Sequence, residues 1–271
     1  MIQGLTAKLP DFSPLEWSAI IASLVVASLL LIDPLVFGVV RHFNPEIRGF
    51  FRSFTDLGKA NWILIPSGIG IAILLALRTR KNGIRKQAAY GYGAQILGFV
   101  FVAVAGASFV GMVIKNTLGR ARPKLYDELG SFEFHPFAYT ADFASFPSGH
   151  ATTIFALGAV LAILLPKARV YIFVAAAWVA ATRFLIGAHY ISDAVAGALL
   201  GLGFVYLLRD RLAERRWIFE RRADGIIQLR GRRLLRWSAG DLSRDLLPRI
   251  RAAKREMGGR DGAPSQGADA E

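Results

Sequence analysis

Six apolar stretches, separated by shorter polar segments, dominate the pattern of this chain. They cover residues 17–40, 61–77, 88–114, 150–165, 170–186 and 191–208. A helix needs roughly 20 mostly apolar residues to cross the hydrocarbon core of a bilayer. The pattern therefore predicts an all-α integral membrane protein, a bundle of six transmembrane helices, with no internal repeat at a fixed period.

The first stretch is interrupted by one polar pair, Asp33-Pro34. No basic segment precedes the stretch and no small-residue cleavage site follows it. We therefore expect a membrane anchor and not a removed signal peptide. With proline beside it, Asp33 predicts a kink or the end of a shorter span, and a functional role for this acid stays open.

The other segments predict the domain organisation. Residues 115–149 are polar and contain three prolines, so they cannot span. From residue 209 to 257, arginines are interleaved with aromatic and aliphatic residues, which is typical of a segment lying on a membrane surface, with a short amphipathic helix at 242–257. The predicted parts are an N-terminal segment with the first transmembrane helix (1–60), a transmembrane core (61–208), a basic amphipathic cytoplasmic extension (209–257) and a disordered tail (258–271).

Composition narrows the possible functions. Apolar residues make up 54% of the 271 positions, and the mean hydropathy is +0.40. The net charge of +13 would alone suggest a nucleic-acid binder, but this apolar composition argues against nucleic acid as a partner. The absence of cysteine excludes disulfides, Cys-ligated zinc and thiol catalysis.

The distribution of charge predicts the topology. Five basic residues lie in the loop after the second stretch and two in the loop after the fourth, and the segment from Arg209 has a net charge of +6. Together these segments account for the whole net charge. Loops rich in Lys and Arg stay in the cytoplasm. We therefore expect both termini on the cytoplasmic side of a bacterial inner membrane and the 115–149 loop in the periplasm.

Three clusters of polar residues are predicted on that periplasmic face. In the first, Lys115 and Arg122-Pro123 are seven residues apart, about two helical turns, so both cations would share one face. Arg120 falls on another face. In the second, Pro147-Ser148-Gly149-His150 opens the fourth stretch, where free N–H groups and the helix dipole favour an anion.

The third cluster combines a cation, an imidazole and a carboxylate. Arg183 precedes His189, and Asp193 follows His189 by four residues, within reach on one helical face. A carboxylate on one ring nitrogen fixes the tautomer and leaves the other nitrogen as a nucleophile. The three clusters together predict a site that binds a phosphate and transfers its phosphoryl group. The remaining histidines, His42 and His135, match no cluster and are interpreted as loop residues.

The three clusters, in this order, resemble the signature of the type-2 phosphatidic acid phosphatase superfamily, which includes lipid phosphate phosphatases and vanadium-dependent haloperoxidases. The resemblance covers about residues 88–208. It implies that His189 attacks phosphorus and forms a phosphohistidine, that Asp193 orients His189, and that His150 protonates the leaving group and then activates water. It also implies a set of phosphate-binding groups: Lys115, Arg122, Ser148, Gly149 and Arg183.

The resemblance implies no metal and no cofactor, since fixed cations hold the phosphate. One residue departs from the family pattern, because Thr182 stands where serine is usual, and a hydroxyl is retained. The expected activity is hydrolysis of a lipid phosphate. Undecaprenyl pyrophosphate, phosphatidylglycerophosphate, phosphatidate and lipid A phosphate all remain candidate substrates. A phosphotransferase with an alcohol acceptor, or a transporter or flippase, are the alternatives, and the oligomeric state stays open.

Overall fold

A computed structural model of the protein describes residues 14–79 and 82–230. The helices are α1 (Pro14–Ala27), α2 (Asp33–Val40), α3 (Pro45–Thr55), α4 (Asn61–Leu77), α5 (Ile84–Leu118), α6 (Tyr126–Leu129), α7 (Gly149–Leu164), α8 (Arg169–Leu185) and α9 (Ile191–Glu214). A π-helical turn, Ser28–Ile32, joins α1 to α2. Short 3-10 turns lie at Asp56–Gly58, Pro123–Leu125, Ala141–Phe143 and Pro166–Ala168.

The chain divides into two compact units. The first comprises Met1–Ser67 and Phe99–Arg211, and the second comprises Gly68–Gly98 and Leu212–Glu271, each as far as the structure describes it. All residues predicted to bind or transfer phosphate belong to the first unit.

Four helical segments of the described chain are long and apolar enough to cross a membrane: Pro45–Leu77, Ile84–Leu118, Pro166–Leu185 and Ile191–Glu214. Val25–Val40 and Gly149–Leu164 are shorter apolar helices. The mainly helical membrane architecture is therefore confirmed, while the count of six spans stays a prediction. The division into 1–60, 61–208, 209–257 and 258–271 also stays a prediction.

Helix α3 was not predicted from the sequence. Asn44 caps its N-terminus by accepting a hydrogen bond from the Ile47 N–H at 2.8 Å, and Pro45 follows at the first helical position. Because α3 contains charged and polar residues, no apolar run in the sequence marks it. The helix packs against α8 and ends at the buried residue Thr55.

The core of the first unit forms where α7, α8 and α9 meet. Ala151, Ala180 and Ala194, one from each helix, are buried together. Two glycines of α9 allow close approach to α7. A Cβ added to Gly197 would lie 2.5 Å from the Ser148 carbonyl oxygen, and one added to Gly201 would lie 2.4 Å from that of Thr152. Small residues at such contacts are typical of helices that associate in lipid.

The second unit adds two short strands to the mainly helical fold. β1 (Phe219–Arg221) pairs antiparallel with β2 (Ile227–Leu229). The hairpin turn contains Gly225 at φ 81°, after Asp224, whose Oδ1 accepts a hydrogen bond from the Ile226 N–H. Asp-Gly is a known hairpin signal. The predicted amphipathic helix at 242–257 and the predicted disordered tail at 258–271 lie outside the described residues.

Candidate active site

The three predicted clusters meet at one end of the first unit. Lys115 lies in the last turn of α5 and Arg183 in the last turn of α8. His150 lies in the first turn of α7, and Asp193 lies in the first turn of α9. Four helix ends therefore bring together side chains that are up to 78 residues apart in sequence.

The N-terminus of α7 and Lys115 face each other. A Cβ built on Gly149 would lie 3.6 Å from the Lys115 Nζ atom. The first N–H groups of a helix have no partner within it, and the dipole adds positive potential there. Ser148 caps the helix, since its Oγ accepts from the Ala151 N–H at 3.5 Å, and its hydroxyl proton remains available to donate. This arrangement suits an anion with several oxygen atoms.

Two arginines complete the positive lining. The Arg183 Nη1 donates to Thr55 Oγ1 at 2.6 Å, which ties the guanidinium to the end of α3. Arg122 is half-buried, and its Nη2 lies 3.5 Å from the Ala144 carbonyl oxygen. Within the described chain, the Nε atoms of Arg122 and Arg183 are buried without a hydrogen-bond partner. A phosphate oxygen is the kind of acceptor that such donors require.

Burial also changes the electrostatics of Arg122. Desolvation lowers the pKa of this guanidinium, and the carboxylates of Asp193 and Asp142 offset part of that effect. Its backbone N–H donates to the Asp142 carbonyl oxygen at 2.8 Å, which fixes this turn of the chain. A cation that is partly removed from water interacts more strongly with a bound anion than an exposed one.

The geometry around His189 assigns its tautomer. His189 Nδ1 lies 2.8 Å from the Ser145 carbonyl oxygen and 3.5 Å from Asp193 Oδ2. A carbonyl oxygen only accepts, so Nδ1 carries the proton and Nε2 keeps its lone pair. Asp193 was predicted to be the partner of this imidazole, and the structure adds the backbone of Ser145 as the closer acceptor.

His189 is 2% exposed, and this burial lowers the pKa of its imidazole to about 4. The hydrogen bond to Asp193 and the charge of that carboxylate act in the opposite direction, toward a higher pKa. The imidazole is therefore neutral at physiological pH, as a nucleophile requires.

A turn places Arg183 and His189 next to each other. Gly187 adopts φ 72°, a left-handed conformation that favours glycine and commonly ends a helix. The N–H groups of Ala188 and His189 both donate to the Arg183 carbonyl oxygen, at 3.0 and 3.2 Å. The backbone thus folds back on the last turn of α8, which explains the short link between α8 and α9.

His150 packs against Gly58, a glycine that no sequence motif marks. A Cβ added to Gly58 would lie 2.8 Å from the His150 Cβ and 2.9 Å from its Cδ2. The imidazole is near enough to Arg183, His189 and Lys115 to interact with their charges. The second histidine therefore belongs to the same cluster as the first.

Five residues outside the predicted set join it: Thr55, Ser145 and Arg120 contact predicted residues directly, and Asp33 and Ser192 contact Arg120. Ser145 Oγ donates to Asp193 Oδ2 at 2.5 Å, and Arg120 Nη1 lies 2.5 Å from Asp193 Oδ1. Of these five, Asp33 carries a signal along the chain, because it is an acid inside an apolar stretch. His42 and His135 lie outside the cluster: the first bonds the Gly38 carbonyl and the second pairs with Glu133.

Comparison with known proteins gives a consistent answer. The PAP2 superfamily model matches residues 96–217. Lipid A 1-phosphatase of Rhizobium johnstonii is 32% identical over 220 residues, which cover 78% of this chain and 87% of that protein. Lipid A 1-phosphatase of Rhizobium etli is 33% identical over 220 residues, covering 78% and 92%.

Two solved structures are similar at 20% identity. The PAP2-type phosphatidylglycerolphosphate phosphatase of Bacillus subtilis has a TM-score of 0.49 and aligns with 74% of this chain and 96% of its own. LpxE of Aquifex aeolicus has a TM-score of 0.46 and aligns with 66% and 94%. On the sequence relationship, this chain belongs to the PAP2 superfamily and is a membrane lipid phosphate phosphatase, a phosphoric ester hydrolase.

Proposed function

We propose that this enzyme removes a phosphate group from a lipid of the lipid A type, at the periplasmic face of the bacterial inner membrane, through a phosphohistidine at His189. The observation that carries the mechanism is the His189 imidazole, whose Nδ1 is held by Ser145 and whose Nε2 keeps its lone pair. Two relatives support the substrate class, because both are lipid A 1-phosphatases and the similarity covers 87% and 92% of their length.

In the first step, His189 Nε2 attacks phosphorus while Lys115, Arg122 and Arg183 hold the phosphate oxygens. A P–N bond forms and the P–O bond to the lipid breaks. His150, protonated while the phosphate dianion is bound, donates its proton to the leaving oxygen. The Ser148 hydroxyl and the Gly149 N–H add donors to the transferring group. Fixed cations stabilise the charge on the equatorial oxygens during transfer.

In the second step, water attacks the phosphohistidine. His150, now neutral, accepts a proton from the water as the new P–O bond forms. The P–N bond breaks, inorganic phosphate leaves, and the His189 lone pair is restored. Asp193 keeps Nδ1 protonated and stabilises the positive charge that the imidazole carries in the intermediate.

An apolar groove beside His150 suits the lipid part of the substrate. Its volume is about 230 Å³, and Leu57, Trp62 and one face each of α7 and α8 line it. Leu57 is adjacent to Gly58, which contacts His150, and Ile154 of the lining lies one helical turn after His150. We propose that an acyl chain lies here while the headgroup reaches the cations. Burying each CH₂ group would contribute about 0.8 kcal/mol.

The groove predicts a difference between lipid and soluble substrates. Ala175→Phe places a bulky side chain in the lining, so KM for a lipid phosphate should rise, and KM for p-nitrophenyl phosphate should not. Val174→Phe, on the neighbouring exposed position outside the lining, is the matched control. Equal KM values for the lipid phosphate in both variants would argue against the groove.

The side of the membrane can be tested because the chain has no cysteine. Helix α7 has 16 residues, about 24 Å at 1.5 Å per residue, and separates the His150 end from Lys167 and Arg169. Glu128→Cys lies in the loop at the His150 end, and Lys167→Cys lies at the basic end. A membrane-impermeant maleimide added to intact cells should label only Glu128→Cys. Labelling of Lys167→Cys alone would reverse the proposed orientation.

The activity test is a substrate panel with purified protein in detergent micelles and EDTA. Lipid A, phosphatidylglycerophosphate, phosphatidate and undecaprenyl pyrophosphate are compared by release of inorganic phosphate. We expect the highest kcat/KM with lipid A, and loss of release in His189→Ala. Undiminished turnover by His189→Ala would overturn the mechanism, and preference for another lipid would overturn the substrate assignment.

The same panel with a labelled phosphate donor separates the alternatives. Label that appears in inorganic phosphate supports a hydrolase, and label that appears in an added lipid alcohol supports a phosphotransferase. Lipid transfer across liposomes without phosphate release would support a transporter or flippase.

A further inference from the structure

A buried chain of charged side chains connects the start of α2 to the catalytic centre. Arg120 lies between two carboxylates: its Nη2 is 2.7 Å from Asp33 Oδ2, and its Nη1 is 2.5 Å from Asp193 Oδ1. Arg120 and Asp193 have no exposed surface, and Asp33 is 1% exposed. We refer to Asp33, Arg120 and Ser192 together as the Asp33–Arg120 bridge.

Every polar atom of the bridge has a partner. Ser192 donates from its hydroxyl to Asp33 Oδ2 at 2.5 Å and from its backbone N–H to Asp33 Oδ1 at 2.9 Å. Its Oγ also accepts from Arg120 Nη1 at 2.8 Å. The Arg120 Nε and Nη2 both donate to the Ser131 carbonyl, and the guanidinium lies 4.3 Å above the Tyr190 ring. A fully satisfied buried network holds its members in one geometry.

The local helix geometry turns Asp33 toward this network. The Asp33 N–H donates to the Ser28 carbonyl oxygen, five residues back, which is the π-helical pattern. Leu31 and Leu35 are 72% and 71% exposed, so they face the surroundings of the unit while Asp33 faces inward. A carboxylate in a span is costly, and apolar residues would pack as well or better than a buried ion pair. The arrangement is therefore explained better by a role at Asp193 than by stability.

We propose that Asp33 and Ser192 are positioning residues for hydrolysis, which act on Asp193 through Arg120. Arg120 engages Oδ1 of Asp193, so Oδ2 is directed to Ser145 and His189. Asp33 also forms an ion pair with Arg120, so this guanidinium lies between two carboxylates. Two carboxylates and one guanidinium leave a net charge of −1 beside the imidazole that becomes positive in the intermediate. This inference rests on the proposed function of His189 and Asp193.

The test compares Asp33→Asn and Ser192→Ala with the wild type in the full-length protein. We expect kcat to fall about 10- to 100-fold, because a small misplacement of a catalytic group has effects of this size. KM, and the inhibition constant of inorganic phosphate, should change by less than about twofold, because none of Lys115, Arg122 and Arg183 contacts the bridge. Arg120→Lys keeps the positive charge but loses the paired N–H groups of the guanidinium, so it should retain more activity than Arg120→Met.

Asp127→Asn is the matched control. Asp127 forms an exposed ion pair with Arg41 at 2.9 Å, which joins the end of α2 to α6. The kcat of the Asp127→Asn variant should equal that of the wild type. Wild-type kcat in folded Asp33→Asn and Ser192→Ala would overturn the inference, as would a matching rise in KM and in the phosphate inhibition constant.

Ser192→Ala decides the question if Asp33→Asn does not fold, since it removes no charge. An active wild type with an inactive His189→Ala, measured in the same assay, keeps the proposed function intact even when the bridge variants retain full kcat. Failure of the inference and failure of the proposed function are thus distinguishable.

Discussion

Substituting Gly58 by alanine should displace His150 and slow catalysis without weakening phosphate binding. The added Cβ would lie 2.8 Å from the His150 Cβ and 2.9 Å from its Cδ2. Carbon atoms pack at about 3.5–4.0 Å, so the imidazole or the 3-10 turn must move by roughly 0.7–1.2 Å. The Cβ of His150 is attached to the helix backbone, so no side-chain rotation relieves this contact, and the position of the imidazole relative to the turn must change.

A displacement of about 1 Å at a catalytic group costs about 100-fold in rate, equivalent to about 2.7 kcal/mol in the activation free energy. We therefore expect kcat of Gly58→Ala to fall by about two orders of magnitude, both with a lipid phosphate and with p-nitrophenyl phosphate. The inhibition constant of inorganic phosphate should stay near the wild-type value, because the three atoms nearest the added Cβ all belong to His150 and none to Lys115 or Arg183.

Gly49→Ala in α3 is the control, since a Cβ at that position meets nothing within 4 Å. In a helix interior it should raise stability by up to about 1 kcal/mol and leave kcat unchanged. Steady-state kinetics and a thermal melt in detergent give both quantities. A folded Gly58→Ala with kcat within threefold of the wild type would refute the role of His150 as a precisely placed proton donor.

His189 should titrate near pH 4, so about 3% of it should be protonated at pH 5.5, against about 90% of an ordinary histidine. NMR of imidazole-labelled protein measures this titration, and a midpoint near pH 6.5 would contradict the prediction. Thr55→Val removes the 2.6 Å bond to Arg183 and should raise KM and the phosphate inhibition constant about tenfold, while Thr117→Val, which loses only a bond within its own helix, should not. Gly201→Ala should lower the melting temperature, because the added Cβ would meet backbone atoms of α7 at 2.4 and 2.9 Å. Gly203→Ala should leave the melting temperature unchanged, because its Cβ meets nothing within 4 Å. Equal melting temperatures of the two variants would argue against close α7–α9 packing.

The arrangement of the polar clusters was largely predictable because it depends on local pattern and connectivity. Apolar runs mark the helices, and a span reverses direction at each loop, so the end of α5 and the start of α7 must lie on the same side. The same rule brings the end of α8 next to the start of α9. Helix order therefore predicts Lys115, His150, Arg183 and Asp193 on one side, at the ends of α5, α7, α8 and α9, and the structure has them at these ends.

Other features were hidden because their signal is weak along the chain. Helix α3 is amphipathic and polar, so no apolar run marks it, yet it supplies Thr55 to Arg183. The hairpin of the second unit follows an Asp-Gly pair inside a basic segment that was interpreted as a membrane-surface extension. Both depend on capping and turn residues, which are informative only once the neighbouring elements are known.

The sequence by itself determined that the protein is a helical membrane enzyme and which residues are candidates for phosphate chemistry, because spacing on a helix places side chains on a common face. Only the tertiary structure decided how these residues are held. The backbone of Ser145, not only the carboxylate of Asp193, contacts His189, and Asp33 reaches Arg120 from 87 residues away. Such pairs depend on the register between helices distant in sequence, which close packing determines and no single helix encodes.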